Sequence, residues 1–114
     1  SNALLQYAFG GSASYSASGS QTRFGSVGFG QEGGGTNTYL MLTEVVRTDD
    51  PNLSVWGESQ TDLTQASWNS ADVNSQMSQD QTQAGPGTRV MDFYTPQGSG
   101  PRKFLKLKAT YQTP

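Results

Sequence analysis

The reactive inventory of this 114-residue chain is short: nine carboxylates, seven Lys or Arg, and neither a cysteine nor a histidine. Without Cys or His there is no thiol nucleophile, no imidazole base, no disulfide framework and no ordinary zinc site. Carboxylate chemistry remains. Glycoside hydrolysis, for example, needs only a pair of acids at a set separation. Glu32, Glu44, Glu58, Asp62, Asp72, Asp80 and Asp92 are scattered along the chain, and no spacing singles out a pair. We therefore expect no enzyme and no catalytic residue. Asp49, Asp50 and Asn52 offer clustered oxygens. Calcium, however, takes about six to eight oxygen ligands and Pro51 presets a turn here, so turn chemistry is preferred to a weak calcium site. The segment Gly28-Phe29-Gly30-Gln31-Glu32-Gly33 spells the G-x-G-x-x-G pattern of dinucleotide binding, which requires a preceding parallel strand and a following helix. More glycine and then Thr-Asn-Thr follow instead. The segment therefore reads as a hairpin loop, and no cofactor or metal is expected.

Two tryptophans and a cationic cluster carry the binding chemistry. If Leu53 and Val55 point inward, strand alternation sends Trp56 and Glu58 outward. An indole beside a carboxylate can there stack on a sugar ring or a neighbouring protein; the alternative is packing against an outward residue of the adjacent strand. Trp56 and Glu58 are thus the candidate ligand-binding residues. Trp68 is expected in the core, filling the end of a thin sandwich. Arg102, Lys103, Lys106 and Lys108 could meet an anionic glycan, although lysines on a strand more often solvate it and block edge-to-edge pairing.

These side chains need a scaffold, and its class follows from composition and periodicity. The length suits one domain, since folding units commonly run to about 100–150 residues. Aliphatic residues are few, but the chain has five Phe, five Tyr and two Trp, and each aromatic ring can bury roughly 150–250 Å². No apolar run approaches the ~20 residues of a membrane-spanning helix, so no membrane insertion is expected. The net charge of −2 argues against nucleic acid as a partner, because that affinity comes largely from Lys and Arg displacing counterions. Ser1-Asn2-Ala3 looks like the scar of a cleaved expression tag, which leaves Leu4 to Pro114 as the domain and makes a missing export signal uninformative.

Leu4, Leu5, Ala8 and Phe9 share one helical face, and Gly10-Gly11 end it, predicting a short N-terminal helix. Ser12 to Ser18 and Thr22 to Phe29 alternate weakly and predict early strands. Thr38 to Thr48, Leu53 to Gln60 and Thr88 to Thr95 are stronger strands, the first two joined by the Asp49-Asp50-Pro51-Asn52 turn. Ala71 to Ala84 is polar and reads at most as a weak edge hairpin, ended by Gly85-Pro86-Gly87. The last strand alternates Leu105, Leu107 and Ala109 with Lys106, Lys108 and Thr110, giving one buried and one wet face. Seven to nine short strands at this spacing predict an all-β, antiparallel β-sandwich.

Three stretches, in order, carry a resemblance to a known family. They are Leu4-Leu5-Gln6-Tyr7-Ala8-Phe9-Gly10-Gly11; Arg47-Thr48-Asp49-Asp50-Pro51-Asn52-Leu53 through Thr61-Asp62-Leu63 to Trp68; and Pro101-Arg102-Lys103-Phe104-Leu105-Lys106-Leu107-Lys108. The chain resembles a recurrent C-terminal domain of large secreted multidomain proteins of verrucomicrobial and planctomycete-type bacteria. That family's pattern is a "LLEYALGG" helix, a "DPNLTYTVEVSxDLxxW" strand and turn, and a terminal "PRRFLRLRV" strand. Order and spacing match over nearly the whole chain; Ser70 to Gly87 carries no such motif, and Gly57 and Ser59 stand where the family has larger apolar residues. The resemblance implies a fibronectin type III or immunoglobulin-like sandwich, non-catalytic and of unassigned function. It implies export with a parent protein to the extracellular space or cell surface. The expectation is an accessory module acting as spacer, stabiliser or surface-interaction domain. Its partners would be the rest of the parent protein and a cell-surface glycan or protein, with a carbohydrate-binding module using Trp56 as the alternative.

Overall fold

The computed structural model describes residues 2–25, 27–30, 38–98, 100 and 102–113. Among these the elements run α1 (Ala3–Ala8), β1 (Gly19–Arg23), β2 (Gly28–Gly30), β3 (Tyr39–Arg47), β4 (Leu53–Gln60), β5 (Asn74–Met77), β6 (Thr88–Pro96) and β7 (Phe104–Tyr111). The strands form two antiparallel sheets, ordered β1-β7-β4 and β2-β3-β6-β5, which pack as a sandwich. The chain passes from one sheet to the other after β1, β3, β4 and β6. First and last strands are therefore antiparallel neighbours in one sheet. An immunoglobulin constant domain instead places them in opposite sheets.

Period two decides what lies between the layers. In β7, Leu105, Leu107, Ala109 and Tyr111 are buried while the residues between them are half-exposed. The β4 register sets Val55 against Ala109 and Gly57 against Leu107. From the other sheet, Leu40 and Leu42 stand opposite Thr95 and Phe93. Leu40, Leu42, Val46, Phe93, Leu105 and Leu107 make the central cluster, each large side chain contributing about 1.5–3 kcal/mol by leaving water.

Six residues are too few for a helix to persist alone in water, so α1 holds only because it docks. Leu4, Tyr7 and Ala8 are buried with Ala109 and Tyr111 in a second cluster. The helix ends where the glycine pair predicts. Gly10 has φ of 84°, its N–H donates to the Tyr7 carbonyl at 3.2 Å, and the Gly11 N–H donates to the Gln6 carbonyl at 2.6 Å. This is the Schellman arrangement, which needs a left-handed residue at the first of those positions.

The early strands differ from expectation. Ser12 to Ser18 forms no strand. Its alternating Ser and Ala give a pleat little to pack, and its one large side chain is Tyr15, whose ring centroid lies 5.2 Å from that of Tyr111 and 6.0 Å from that of Tyr7. Pairing begins instead at Gly19, and Phe24 and Val27 fall outside any strand, both exposed. Gly28–Gly30, expected in a hairpin loop, is the short edge strand β2 paired with β3. The Met41 side chain covers Gly30 so closely that a Cβ there would collide with its sulfur. The rest of the glycine-rich segment, Gln31 to Gly35 with Glu32, lies outside the described residues. In the motif-free middle, β5 pairs with β6 as an exposed edge strand. Two small residues of β4 fit their neighbours: Val73 packs onto Gly57 where a Cβ would collide with it, and Ser59, 2% exposed, donates its hydroxyl to Asp72 at 2.6 Å.

Candidate functional site

The β4 register places Trp56 opposite Lys108 and Glu58 opposite Lys106, on the face of the three-stranded sheet turned away from the core. Both residues are half-buried. The Trp56 indole N–H donates to Glu58 Oε2 at 3.1 Å, and Lys106 Nζ lies 3.8 Å from Glu58 Oε1. The two candidate residues therefore do meet, with a lysine on the carboxylate.

Trp68, expected in the core, stands half-buried outside it. After β4 the chain turns at Asp62, whose carboxylate accepts the Thr64 N–H and hydroxyl, and returns beside β4 through the Ser59–Asn69 bridge. That return lands the indole on Lys106, with Nζ 4.0 Å from the ring centroid, instead of between the sheets. The lysines also differ from expectation. Strand β7 is the central strand of its sheet, so its lysines guard no edge. The Lys103 and Lys106 side chains are only 11% and 15% exposed.

Around Trp68 the sandwich has an open end. Phe24, Leu63, Trp68 and Phe104 wall a cleft of about 290 Å³ that reaches the core residues Leu40 and Leu105, and Lys103 also lines it. Phe24 meets Trp68 edge-on, centroids 6.4 Å apart and planes at 68°. Phe24 is 71% and Leu63 59% exposed. Behind this cleft Lys103 Nζ donates to Asp72 Oδ2 at 2.7 Å, while Ser59 holds Oδ1. Burial pushes the Asp72 carboxyl up, but the bonds from Lys103 and Ser59 outweigh it and leave it below its ordinary value. Thr95 is fully buried, and its hydroxyl makes no hydrogen bond of good geometry. Sequence reading misses this constellation because it gives Phe24 to an early strand at Thr22 to Phe29 and Trp68 to the core, and neither expectation brings Phe24 and Leu63 beside Trp68.

The opposite end carries the acidic turn. Asp50 accepts the Tyr7 hydroxyl at 2.5 Å through Oδ2 and the Asn52 N–H at 2.9 Å through Oδ1. Arg47 donates to the carbonyls of Tyr7 and Ser12 at 3.1 and 2.6 Å, and its guanidinium lies 4.2 Å from the Tyr7 ring centroid. The bond to Asp50, then burial, push the Tyr7 hydroxyl up to about 12. The same bond, with the Asn52 N–H, holds Asp50 below its ordinary value. Of the oxygens weighed for calcium, both of Asp50 are thus engaged in a latch and a turn, and Asp49 Oδ1 lies 3.7 Å from the Arg47 guanidinium. Among the described residues no three Asp, Glu, Cys or His side chains are grouped to hold a metal ion. A second cleft, about 530 Å³ and polar, lies at this end beside Ser54, Thr110 and Thr113; Thr113 and Ser18 spend their hydroxyls on each other at 3.0 Å.

Comparison of the chain with protein-family models, with curated proteins and with solved structures gave no match. Among the described residues no helix is long and apolar enough to cross a membrane.

Proposed function

We propose that this chain is a non-catalytic accessory module of a larger exported protein, acting as a surface-interaction or stabilising domain. The observation that supports this reading most is the direction in which four of its nine carboxylates are tuned. Asp50, Asp62, Asp72 and Asp80 are all held below their ordinary values, by Tyr7, Thr64, Lys103 and Thr82 among their neighbours. A general acid at neutral pH requires the opposite shift. Phe24 and Leu63 are left exposed beside one cleft, as an interaction surface requires. Incubating the purified domain with chromogenic glycosides and esters should give no turnover. Turnover abolished by Asp72→Asn or Glu58→Gln would overturn the reading.

A carbohydrate-binding module is the second reading, favoured by the outward Trp56–Glu58 pair bonded at 3.1 Å. Glycan-array binding that disappears in Trp56→Ala supports it; binding that survives removes Trp56 from it.

A further inference from the structure

We infer that the outer edge of β5 pairs with the same edge of a second copy of this chain, joining the four-stranded sheet of each into one continuous sheet. The inference rests on the reading of the chain as an interaction domain and names one partner for it. The backbone comes first. Ser78, the residue after β5, donates its N–H to the Val90 carbonyl at 2.9 Å, and the register sets Gln76 against Asp92 and Asn74 against Tyr94. Opposed residues in an antiparallel ladder alternate between bonded and non-bonded pairs. Gln76 and Asn74 therefore spend their backbone groups on β6, while the N–H and C=O of Ser75 and Met77 point away from it. Strand β5 ends its sheet, and all four of its residues are exposed.

Among the described residues the other edges are defended and this one is not. An open edge is normally blunted by charge, proline, a bulge, shortness or a covering segment. Strand β1 carries Arg23, paired with Glu44 at 3.3 Å, and is met by α1, whose Leu5 N–H donates to Gln21 Oε1 at 3.2 Å. Strand β4 is bridged by Asn69, which exchanges backbone bonds with Ser59 at 2.8 and 2.9 Å. Strand β2 is three residues long with glycine at both ends. Past the end of β5, even β6 is capped: the Gln81 carboxamide bonds both the C=O and the N–H of Val90, at 2.8 and 2.9 Å. Val73 to Gln79, by contrast, contains no charge and no proline, and the Met77 side chain is 55% exposed.

Self-complementarity selects the second copy. A two-fold axis at Gln76 sets Ser75 of each copy against Met77 of the other, so both outward residues are bonded in both directions. No charge then faces a charge within the paired residues, and the Met77 side chains become diagonal neighbours within reach of each other. A foreign peptide would need pockets beside the edge to read its alternate side chains. No residue of β5 lines either cleft described above. The contact is short, so it belongs to the weak, transient class of interfaces.

The chain has no cysteine, so Gln76→Cys introduces a single thiol at the axis. Opposed residues of a non-bonded pair have Cα atoms about 4.5 Å apart, inside the span of about 4.4–6.8 Å that a disulfide bridges. Asn74→Cys lies on the same strand but away from its counterpart in the second copy. In a glutathione redox buffer, Gln76→Cys should form the disulfide-linked dimer about tenfold more readily than Asn74→Cys, because only its geometry fits. Adding Met77→Lys, or Ser75→Pro, which removes an outward N–H and leaves the β6 ladder whole, should erase that advantage. Equal yields from the two cysteine variants overturn the inference. A dilution series of the unsubstituted chain followed by NMR gives a readout that needs no variant: the Ser75 and Met77 amide shifts should move with concentration more than those of Asn74 and Gln76. Shifts that stay constant up to millimolar concentration overturn it, as do shifts confined to Phe104 and Leu105, which would put self-association at the open cleft. Each of these failures removes the second copy as partner and leaves the turnover test of the accessory reading unaffected.

Discussion

The two ends of this sandwich solve the same problem in opposite ways. At the Tyr111 end of β7 a helix covers the core, Tyr7 and Arg47 have partners in Asp50 and two carbonyls, and the cleft that remains beside Thr110 and Thr113 is polar. At the Phe104 end, Phe24 and Leu63 face water and the cleft between them reaches the core. One chain therefore covers its apolar core with a helix at one end and leaves it reachable at the other. Exposed apolar surface is not forced by the fold, and grouped apolar exposure beside a cleft marks binding surfaces.

The largest effect should come from the helix-covered end. Leu4→Ala removes a side chain 1% exposed and is expected to cost about 2–5 kcal/mol in denaturant unfolding. A loss no greater than that of Phe24→Ser would break the contrast between the ends.

Next is the latch, whose signature is pH. Tyr7 is favoured in its neutral form, so its contribution is complete below the ordinary value of 10.0 and is lost as pH rises towards about 12. Asp50 is favoured as the carboxylate, so its contribution is complete above 3.8 and is lost as pH falls through its lowered value. Tyr7→Phe should be less stable than the parent at neutral pH, and the difference should narrow on both the acid and alkaline sides. A pH-independent difference between the two denaturation midpoints would show that the hydroxyl bond contributes nothing.

The smallest effect belongs to the open end. Phe24→Ser and Leu63→Ser should each change stability by no more than about 0.5 kcal/mol, the usual range for surface positions. A large loss at either would mean that these side chains hold the fold together, and would sharpen the contrast in the other direction.

Particular elements show why some of this was legible and some was not. The terminal strand could be read because Leu105, Leu107 and Ala109 alternate with polar residues and β7 is wet on one face only. The helix end could be read because a left-handed residue after a short apolar face demands glycine, and Gly10 supplies it. Ser12 to Ser18 misled because alternation of Ser with Ala has the right period and almost no burial behind it. Gly28–Gly30 misled in reverse, since glycine reads as loop unless one knows that Met41 lies across it. For the candidate site, the meeting of Trp56 and Glu58 was legible from alternation alone, whereas Trp68, Lys103 and Asp72 come together only through a return of the chain beside β4.

Sequence by itself determined the class of the molecule: alternation and turn residues act over a few positions, so a layered β structure with a short docked helix follows from local rules. Tertiary structure decided which sheet each strand joins, which end the helix closes and which aromatic rings are left in water. Those outcomes rest on contacts between residues far apart in the chain, such as Tyr7 with Asp50 and Lys103 with Asp72. Such pairings are chosen by competition among all surfaces at once, and no local period records the result.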